Sequence, residues 1–466
     1  MREVLRNNRY TNNSATRWLL GVYRRLRATL HSGGMAAGAS AAAGAPVMPD
    51  WLHQEMKALA ALEPELLPAG GSAARYAYYA VPMDVRPGDA YATIAAQVGH
   101  GDYTHVFVIP WLKPGGADRG ILYHVRAIVE SRADARILVL STENADSPWA
   151  DRLPGPVVHV AFGRLAAQLD FNLQVAVMVR LLVQLRPETV HLVNSRVAWE
   201  ALRHHGLALT QHTRWFASLF CDDYDENMVP VGYARDYLRY CYPYLQTVMS
   251  DNSSYPQLWS RELGVPKSSF TVMPFPYDGG VDENSADAVT RDGADRVLWA
   301  GRLDRQKRPD LLAAIAARLP DVHFDVYGAQ VMTGAAFMDL SGLRALSNVT
   351  LHGEFKRLEA VVSSEHFAYL HTTGWEGTPT ILFDVAAARV PICAPAVGGI
   401  QDFLAVDDMV ANNEDIDAYV ADLLSLRRSS DLRDARVARQ LGSLRRDRRW
   451  SDFTSRLVRI RGYCAP

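Results

Sequence analysis

The chain has 466 residues, of which 48% are apolar and 21% are charged, and its formal net charge is −2. This length exceeds what a single hydrophobic core usually holds, so the sequence predicts more than one domain. The composition excludes an intrinsically disordered chain, and the near-neutral charge gives no reason to expect nucleic acid as a partner.

Cysteine spacing and hydropathy indicate the compartment. No two of the four cysteines are closely spaced, a pattern typical of neither a metal site nor a disulfide framework: Cys221, Cys241, Cys393 and Cys464. A reducing compartment fits this usage. The longest apolar stretch, residues 173–185, contains Arg180 and is too short to cross a bilayer. We therefore expect a cytoplasmic protein.

Residues 1–50 predict a basic amphipathic segment followed by a linker. Leucine and valine side chains recur on one helical face within residues 17–30, with arginines around the rest of the helix. Such a helix could lie on anionic lipid, or it could pack on its own protein or remain a solvated tail. Residues 32–49 form a Gly/Ala-rich linker, and an N-terminal extension over 51–103 begins with a short helix at 51–65.

Residues 104–275 alternate apolar runs of strand length with helical patterns. Short continuous apolar strands separated by helices indicate a parallel sheet covered on both faces. The predicted strands are 104–110, 136–141, 157–162, 190–194, 215–220 and 247–250, and the predicted helices are 119–131, 164–186 and 232–244. The sequence thus predicts an N-terminal Rossmann-like domain.

A second alternation follows a Gly-, Asp- and Asn-rich segment at 276–296, which is typical of an interdomain linker. It extends over 297–430 and predicts a C-terminal Rossmann-like domain, before an arginine-rich helical tail at 431–466. The predicted strands are 297–301, 322–328, 349–353, 368–373 and 391–395, and the predicted helices are 309–318, 356–363, 379–388 and 414–427. Two tandem doubly wound domains leave a cleft between them, where ligands of such sheets bind.

Two candidate binding segments each follow the first predicted strand of a domain. Gly115 and Gly116 separate a strand from a helix, so backbone can approach a ligand closely at the helix start, although a plain turn also explains them. In "WAGRLDRQKRPD" (299–310), Gly301 ends a strand, and Arg302 and Lys307 flank the loop before Pro309 opens a helix. Fixed cations at such a place suit a diphosphate, because charge-assisted hydrogen bonds each contribute about 1.5–3 kcal/mol.

A third segment, "GWEGTPTILFD" (374–384), places a glutamate among glycines before a proline-opened helix. Pro379 suits the first helical position and Thr378 the N-cap, so Glu376 lies beside the positive helix end. Its carboxylate could accept hydrogen bonds from sugar hydroxyls. Asp384 lies about one and a half turns into the helix and could reach a ribose diol. A purely structural explanation makes Glu376 a helix-terminus acid and Asp384 a surface acid.

Together these segments resemble the family 4 (group 1) retaining glycosyltransferases of GT-B fold, most strongly over residues 297–404. The resemblance implies that Glu376 contacts the transferred sugar, that Asp384 holds the nucleotide ribose and that Arg302 and Lys307 grip the diphosphate. It also implies a set of substrate-binding positions in the surrounding loops: Gly115, Gly116, Gly301, Gly328, Gly353, Gly377 and Thr378. The segment "AVGGIQDF" (396–403) matches a Gly-Gly-x-x-Glu segment with Asp402 in place of the acid. The tail resembles a closing helix that crosses back to the N-terminal domain.

The sequence departs from the family pattern at two places. Asp384 is one methylene shorter than the usual glutamate. In "LFCDDYDEN" (219–227), Cys221 stands where many relatives have a histidine, which leaves Asp222 and Asp223 as the candidate acceptor-side residues. Asp223 and Asp225 could alternatively form an Asp-x-Asp metal motif. Because the cations already serve the diphosphate, we expect an enzyme that needs no metal and no cofactor beyond its nucleotide-sugar co-substrate.

The sequence therefore predicts a glycosyltransferase that moves a sugar from a nucleoside-diphosphate donor to a glycan or lipid-linked acceptor. The family resemblance implies retention of the anomeric configuration and a role in bacterial surface polysaccharide or lipopolysaccharide synthesis. The expected location is the cytoplasm, with peripheral contact to the inner face of the membrane through residues 17–30. A sugar-nucleotide epimerase, a phosphorylase and a catalytically silent sugar-nucleotide-binding scaffold are the alternatives, since fold does not fix function.

Overall fold

A computed structural model describes residues 50–63, 84–99, 101–279, 293–330 and 338–464. The predicted helix around residues 17–30, the Gly/Ala linker and residues 280–292 of the interdomain linker lie outside these ranges. Helix α1 (Asp50–Leu62) belongs to a unit formed by residues 1–84, and residues 85–466 form a second unit. The account below concerns the second unit.

The N-terminal domain is built on a parallel sheet of short, almost wholly buried strands. Its strands are β1 (His105–Ile109), β2 (Ile137–Ser141), β3 (Val157–Val160), β4 (Thr189–Val193), β5 (Arg214–Ser218), β8 (Leu245–Ser250) and β9 (Phe270–Val272). They are ordered β3-β2-β1-β4-β5-β8-β9. Two further strands, β6 (Asp223–Tyr224) and β7 (Pro230–Val231), pair as a small antiparallel hairpin after β5.

Helices cover both faces of this sheet. They are α2 (Arg86–Val98), α3 (Gly116–Ser131), α4 (Phe162–Leu165), α5 (Phe171–Leu185), α6 (Arg196–Leu209), α7 (Tyr233–Cys241) and α8 (Ser254–Leu263). Helix α2 buries Ile94 and Val98 in the same core as the strands and packs on α5. The N-terminal domain therefore includes a helix upstream of its first strand, within the segment that the sequence pattern left as an extension.

The C-terminal domain repeats the doubly wound plan. Its strands are β10 (Arg296–Ala300), β11 (His323–Tyr327), β12 (Val349–Gly353), β13 (His366–Leu370), β14 (Ile392–Pro395) and β15 (Met409–Val410), ordered β12-β11-β10-β13-β14-β15. Its helices are α9 (Pro309–Arg318), α10 (Ser341–Arg344), α11 (Ile381–Ala387) and α12 (Ile416–Arg428). All described strand pairs of this sheet are parallel. Both sheets place their first strand centrally, which confirms the predicted fold class.

One predicted helix of the C-terminal domain is wrong. Residues 356–363 contain only a 3₁₀ turn, Leu358–Ala360. The backbone N–H of Ser363 donates to His366 Nδ1 at 3.0 Å, immediately before β13 begins. The chain therefore turns into the next strand before a second helical turn can form.

The tail forms helices α13 (Ser430–Asp447) and α14 (Trp450–Arg459). Helix α13 packs on α11 of the C-terminal domain, whereas α14 packs on α3 of the N-terminal domain. Beyond α14, the buried Tyr463 contacts two histidines of the N-terminal sheet: its backbone carbonyl is 2.7 Å from His105 Nε2, and its hydroxyl is 2.5 Å from His191 Nδ1. The tail thus joins the two domains.

Candidate functional site

Three glycines meet at the carboxyl edge of the C-terminal sheet. Gly301, Gly328 and Gly353 end or follow β10, β11 and β12. The Gly328 N–H donates to the Gly353 carbonyl at 2.7 Å. Gly328 has φ +140°, and a Cβ there would lie 1.8 Å from the Gly301 carbonyl oxygen. A side chain is excluded at Gly328 by both its backbone conformation and this contact, so bare backbone lines the edge.

The loop between β10 and α9 orients two cations differently. The Asp304 side chain accepts a hydrogen bond from the Lys307 backbone N–H and forms an ion pair with Arg302 Nε, each at 3.1 Å. The Arg302 side chain remains 46% exposed at the mouth of the loop, where Gln306 also accepts from it. The Lys307 side chain turns into the protein instead.

Lys307 forms a buried ion pair with Glu376. Its Nζ donates to Glu376 Oε1, and neither side chain is more than 14% exposed. Burial, together with the charge of Arg302, lowers the pKa of Lys307 to about 7. His371 Nε2 lies 3.5 Å from the same carboxylate oxygen, and burial lowers the pKa of His371 well below its usual value, so this ring is neutral. The predicted pair of site residues is therefore in direct contact.

The Glu376 segment is held in place by backbone contacts. Gln306 donates to the Trp375 carbonyl at 2.8 Å, which joins the cationic loop to the glutamate loop. On the other side, the Gly399 N–H donates to the Gly377 carbonyl at 2.9 Å, and a Cβ on Gly398 would lie 1.8 Å from the Glu376 carbonyl oxygen. The adjacent glycines of the sequence "GGIQD" thus allow close packing behind Glu376.

The N-terminal domain contacts this loop directly. Asp251, after β8, accepts a 2.8 Å hydrogen bond from the Thr378 N–H, and the Thr378 hydroxyl donates to the Asp251 carbonyl at 2.9 Å. Burial raises the pKa of Asp251 to about 6. The assignment of Thr378 as N-cap is wrong, because α11 begins at Ile381 with Thr380 as its cap residue. The Thr378 hydroxyl instead joins the two domains.

A second interdomain contact lies two residues further on. The backbone N–H and the hydroxyl of Ser253 each donate to the Asp402 carboxylate at 2.6 Å. Arg448, at the end of α13, donates to the Asp402 carbonyl at 3.0 Å. Asp402 therefore serves as a domain contact in this structure.

The N-terminal glycine loop faces the start of α11. A Cβ on Gly116 would lie 3.9 Å from the Thr380 hydroxyl oxygen. One turn into α3, Arg119 forms an ion pair with Asp384, with 3.5 Å between Nη1 and Oδ2. Burial raises the pKa of the Asp384 carboxyl, whereas Arg119 lowers it. Asp384 thus points into the cleft, where it is matched by a cation from the opposite domain.

The segment around Cys221 is placed between the domains. Burial raises the pKa of the Cys221 thiol to about 12, and the Gly377 backbone acts in the opposite direction. Asp222 is fully buried and accepts from Arg235 Nε at 2.9 Å and from Trp259 Nε1 at 2.7 Å. Its two oxygens are therefore occupied, and its contacts are structural. The exposed Asp223 accepts from the next backbone N–H, that of Tyr224, at 2.8 Å.

The alternative Asp-x-Asp motif serves the hairpin. Asp225 Oδ1 accepts from the backbone N–H groups of Asn227 and Val229, each at 2.9 Å, and so closes the turn between β6 and β7. The hairpin in turn docks on the C-terminal domain, because the Arg305 guanidinium donates to the Asp225 carbonyl at 2.5 Å. In the part of the chain that the structure describes, no three His, Cys, Asp or Glu side chains are grouped as a metal site.

Several residues of the site were not predicted. Arg119 lies between Gly116 and Gly120, although nothing in that segment marks its pairing with Asp384, and neither glycine spacing nor charge clustering marks Asp251, Ser253 and His371. The only usable signal was position, since Asp251 directly follows a predicted strand. Within the described ranges, no helix has the length and apolar character needed to cross a membrane.

Solved structures of other proteins share the architecture of this chain. Solved structures with the same architecture include the lipopolysaccharide outer core galactosyltransferase WaaB (15% identity, TM-score 0.56, 76% of this chain and 98% of that one). HepE of Anabaena, in complex with UDP and glucose, is similar, with 14% identity and a TM-score of 0.56 over 76% of this chain and 98% of that one. Sucrose-phosphate synthase from Thermosynechococcus elongatus is also similar, with 14% identity and a TM-score of 0.57 over 77% of this chain and 98% of that one. No curated protein matches the sequence.

The sequence of the C-terminal domain matches a known family. The model of that family, glycosyl transferases group 1, covers residues 294–429. This region contains β10, the cationic loop, Glu376 and Asp384. The chain therefore has the GT-B fold and contains a glycosyl transferases group 1 domain in its second half.

Proposed function

We propose that this protein transfers a sugar from a nucleoside-diphosphate-sugar to an acceptor hydroxyl, with retention of the anomeric configuration. The observation that supports the proposal most is the buried contact between Lys307 and Glu376, which lies beside Gly301 of the three-glycine edge. In the reaction, the bond from the anomeric carbon to the diphosphate breaks and a bond to the acceptor oxygen forms. The nucleoside diphosphate leaves with the acceptor's proton.

The leaving diphosphate develops negative charge, which the protein must stabilise. Arg302 lies exposed at the loop mouth, and Lys307 lies behind it with a pKa of about 7. A diphosphate beside Lys307 favours its charged form, and the bare backbone at Gly301 and Gly328 permits close approach. In this proposal these groups, without a metal ion, hold the diphosphate.

The acids of the site would hold the rest of the donor. Glu376 would accept hydrogen bonds from the transferred sugar, supported by its burial and by the fixed loop at Gly377 and Thr378. Asp384 would accept from the ribose diol once Arg119 is displaced from it. Gly115 and Gly116 would face the reacting centre from the opposite domain.

The acceptor belongs to the proposal as well. The fold is shared with a lipopolysaccharide galactosyltransferase, which supports a glycan or lipid-linked acceptor in the synthesis of a bacterial surface polysaccharide. On this proposal the protein acts in the cytoplasm at the inner face of the membrane, with residues 17–30 as its contact. That segment lies outside the described residues, and a variant lacking residues 1–34 should lose salt-sensitive association with anionic vesicles.

A panel of nucleoside-diphosphate sugars tests the donor step by thermal stabilisation of the purified protein, because a ligand of the folded state raises the melting temperature. The stabilising sugar is then used in a transfer assay with Glu376→Gln. This variant keeps the side-chain shape, and Lys307 can release its proton, so the fold should be retained. We expect transfer to fall by about 100-fold or more.

The matched control is Glu365→Gln, at an exposed acid of the same domain that directly precedes β13, at the sheet edge opposite the site. Full activity in Glu376→Gln would refute the assignment. Conversion of the donor without an acceptor would identify an epimerase. Donor binding without any acceptor-dependent release of nucleoside diphosphate would identify a silent binding scaffold.

A further inference from the structure

The imidazole of His371 is a buried polar group of the site that the proposed function does not use. His371 directly follows β13, and its side chain is 3% exposed. Its Nε2 atom forms no hydrogen bond with any residue that the structure describes, yet it lies 3.5 Å from Glu376 Oε1. An unpaired buried polar atom destabilises a folded protein, so its position beside a proposed substrate contact points to a functional role.

The ring of His371 is held in place from the side of the C-terminal sheet. Its backbone N–H donates to the Cys393 carbonyl at 2.9 Å, which continues the pairing of β13 with β14. The ring stacks on that of Tyr369, with centroids 6.1 Å apart and planes 25° apart, and Nδ1 lies 3.4 Å from the Tyr369 hydroxyl. Tyr369 is fully buried and donates to the Ala300 carbonyl at 2.8 Å. The ring edge that carries Nε2 therefore stays directed at Glu376.

The neighbours of the ring decide which nitrogen carries its proton. Burial, and then the charge of Lys307, lower the pKa of His371, so the ring is neutral and has one N–H. The Tyr369 hydroxyl gives its only proton to Ala300, which leaves two acceptors beside the ring, this hydroxyl oxygen and the Glu376 carboxylate. The carboxylate bears the charge and is the stronger acceptor. The proton therefore lies on Nε2.

The two oxygens of the Glu376 carboxylate have different surroundings. Oε1 accepts from Lys307 Nζ and, at 3.4 Å, from the Thr373 hydroxyl, and His371 Nε2 approaches the same oxygen. No side chain or backbone group of the described residues forms a hydrogen bond with Oε2. The protein therefore holds one oxygen and leaves the other for a substrate hydroxyl.

Two of the three groups at Oε1 have other partners as well. The Thr373 hydroxyl has one proton, which the Gln306 and Trp375 carbonyls also accept, each at 3.1 Å. In the proposed function, Lys307 divides its N–H groups between the carboxylate and the bound diphosphate, so its contact with Oε1 weakens. His371 is fixed and neutral, and a diphosphate does not draw it away. It is the donor that can hold the carboxylate throughout the reaction.

We propose that His371 is a positioning residue of the transfer reaction, which donates from Nε2 to Glu376 Oε1 in the donor-bound protein and so directs Oε2 at the transferred sugar. The inference rests on the proposed glycosyl transfer and adds a residue to the same site. His371 acts through Glu376 and touches neither the sugar nor the diphosphate.

Three substitutions separate the Nε2 donor from the rest of the ring. In His371→Gln the amide nitrogen can occupy the place of Nε2, whereas in His371→Asn it reaches only the place of Nδ1. His371→Leu has a similar volume and no polar atom. The matched control is His212→Asn, at an exposed histidine two residues before β5, at the sheet edge opposite the cleft.

The measurement is the transfer assay with the nucleoside-diphosphate sugar that stabilises the wild type, chosen from UDP-glucose, UDP-galactose, UDP-N-acetylglucosamine, GDP-mannose and ADP-glucose. Methyl glycosides of glucose, galactose and mannose supply the acceptor hydroxyls. Kinetics give kcat, calorimetry gives the dissociation constant of the donor, and thermal unfolding reports folding. His371→Asn and His371→Leu are also made in the Glu376→Gln background.

We expect kcat to fall by about tenfold or more in His371→Asn and His371→Leu, and by less than about threefold in His371→Gln. The dissociation constant of the donor should stay within about twofold of the wild-type value, since the ring does not contact the donor. In the Glu376→Gln background the same substitutions should cause no further loss, because the carboxylate on which His371 acts is already gone. The control should match the wild type.

Several outcomes would overturn the inference. Equal activity in His371→Gln and His371→Asn would remove the role of the Nε2 donor, and an additional loss in the Glu376→Gln background would show that His371 does not act through this carboxylate. Weaker donor binding would make His371 a donor contact. Failure of all three variants to fold would make it a structural residue.

The outcome separates this inference from the proposed function. Full activity in Glu376→Gln, or a wild type that transfers no sugar, would refute the proposed function and with it the role of His371. A loss in Glu376→Gln together with full activity in His371→Asn would refute only the role of His371.

Discussion

Lys307 and Glu376, which lie 69 positions apart in the sequence, form one buried ion pair at the point where the two domains meet. In this pair Lys307 Nζ already contacts Glu376 Oε1 before any donor binds. A diphosphate would therefore bind to a site whose cation already has a partner, and the affinity for donor depends on the protonation of Lys307.

This dependence predicts the effect of pH on donor binding. Burial lowers the pKa of Lys307 to about 7, and a bound diphosphate raises it, so binding above pH 7 takes up a proton. The dissociation constant of the donor should rise with pH above about 7, by at most tenfold per pH unit. Calorimetry between about pH 6.5 and 8.5 measures this. Lys307→Arg stays charged and should give a flat profile; a flat wild-type profile would contradict the prediction.

The ion pair between Arg119 and Asp384 predicts opposite effects of two substitutions. If the ribose displaces Arg119 from Asp384, Asp384→Asn should weaken donor binding by roughly tenfold or more, because it removes charged acceptors. Arg119→Gln should strengthen donor binding, by at most about fivefold, since a partly exposed ion pair contributes about 0–1 kcal/mol. Weaker binding in Arg119→Gln would instead make this arginine a donor contact. The measurement is again the dissociation constant of the stabilising sugar.

Gly328 predicts a stability difference that is independent of function. Its φ of +140° and the 1.8 Å approach of a Cβ to the Gly301 carbonyl leave no room for alanine. Gly328→Ala should lower the free energy of unfolding by at least about 1–3 kcal/mol or prevent folding. Gly342→Ala is the matched control, because nothing lies within 4 Å of a Cβ there and its φ is ordinary. Thermal unfolding that is equal in the two variants would contradict the structure.

The histidines around Tyr463 predict loss of stability in acid. Burial lowers the pKa of His105 to about 4 and of His124 to about 3, and it also lowers the pKa of His191. Unfolded histidines bind protons below about pH 6.5, so unfolding takes up protons between that pH and about 4. Stability should therefore fall as pH falls through this range, by about 1.4 kcal/mol per pH unit for each histidine.

The melting temperature at several pH values measures this effect. In His124→Leu one titrating group is removed, so the acid-dependent fall should be shallower than in the wild type. His53→Leu is the matched control, since this exposed residue lies on α1, outside the 85–466 unit. An unchanged slope in His124→Leu would contradict the prediction.

The sequence predicted the architecture well, and it marked three residues of the C-terminal domain that the structure brings near one another, because both depend on local signals. Apolar runs placed most strands within two residues of their observed bounds. Arg302, Lys307 and Glu376 stand beside glycines at strand ends, and parallel strands bring such ends to one edge of a sheet. The pairing of Lys307 with Glu376 then follows from the adjacency of β10 and β13.

The interdomain contacts could not be predicted, because they depend on surfaces with no shared sequence pattern. Thr378 is of a residue type that is common at helix N-caps, yet its hydroxyl donates to the Asp251 carbonyl. Asp222 is an acid of the kind that binds ligands, yet both of its carboxylate oxygens accept hydrogen bonds from Arg235 and Trp259. In each case a polar residue whose type suits a local role instead forms a hydrogen bond with a residue that is distant in the sequence.

The burial of Tyr463 among the histidines of the N-terminal sheet has a consequence for biogenesis. Although N-terminal domains commonly fold while the rest of a chain is still being made, this one lacks part of its interior until residue 463 has left the ribosome. Its native packing is therefore completed only after translation of the second half. A nascent chain halted after α12 would expose an unfilled pocket beside β1 and β4, a ready target for chaperones.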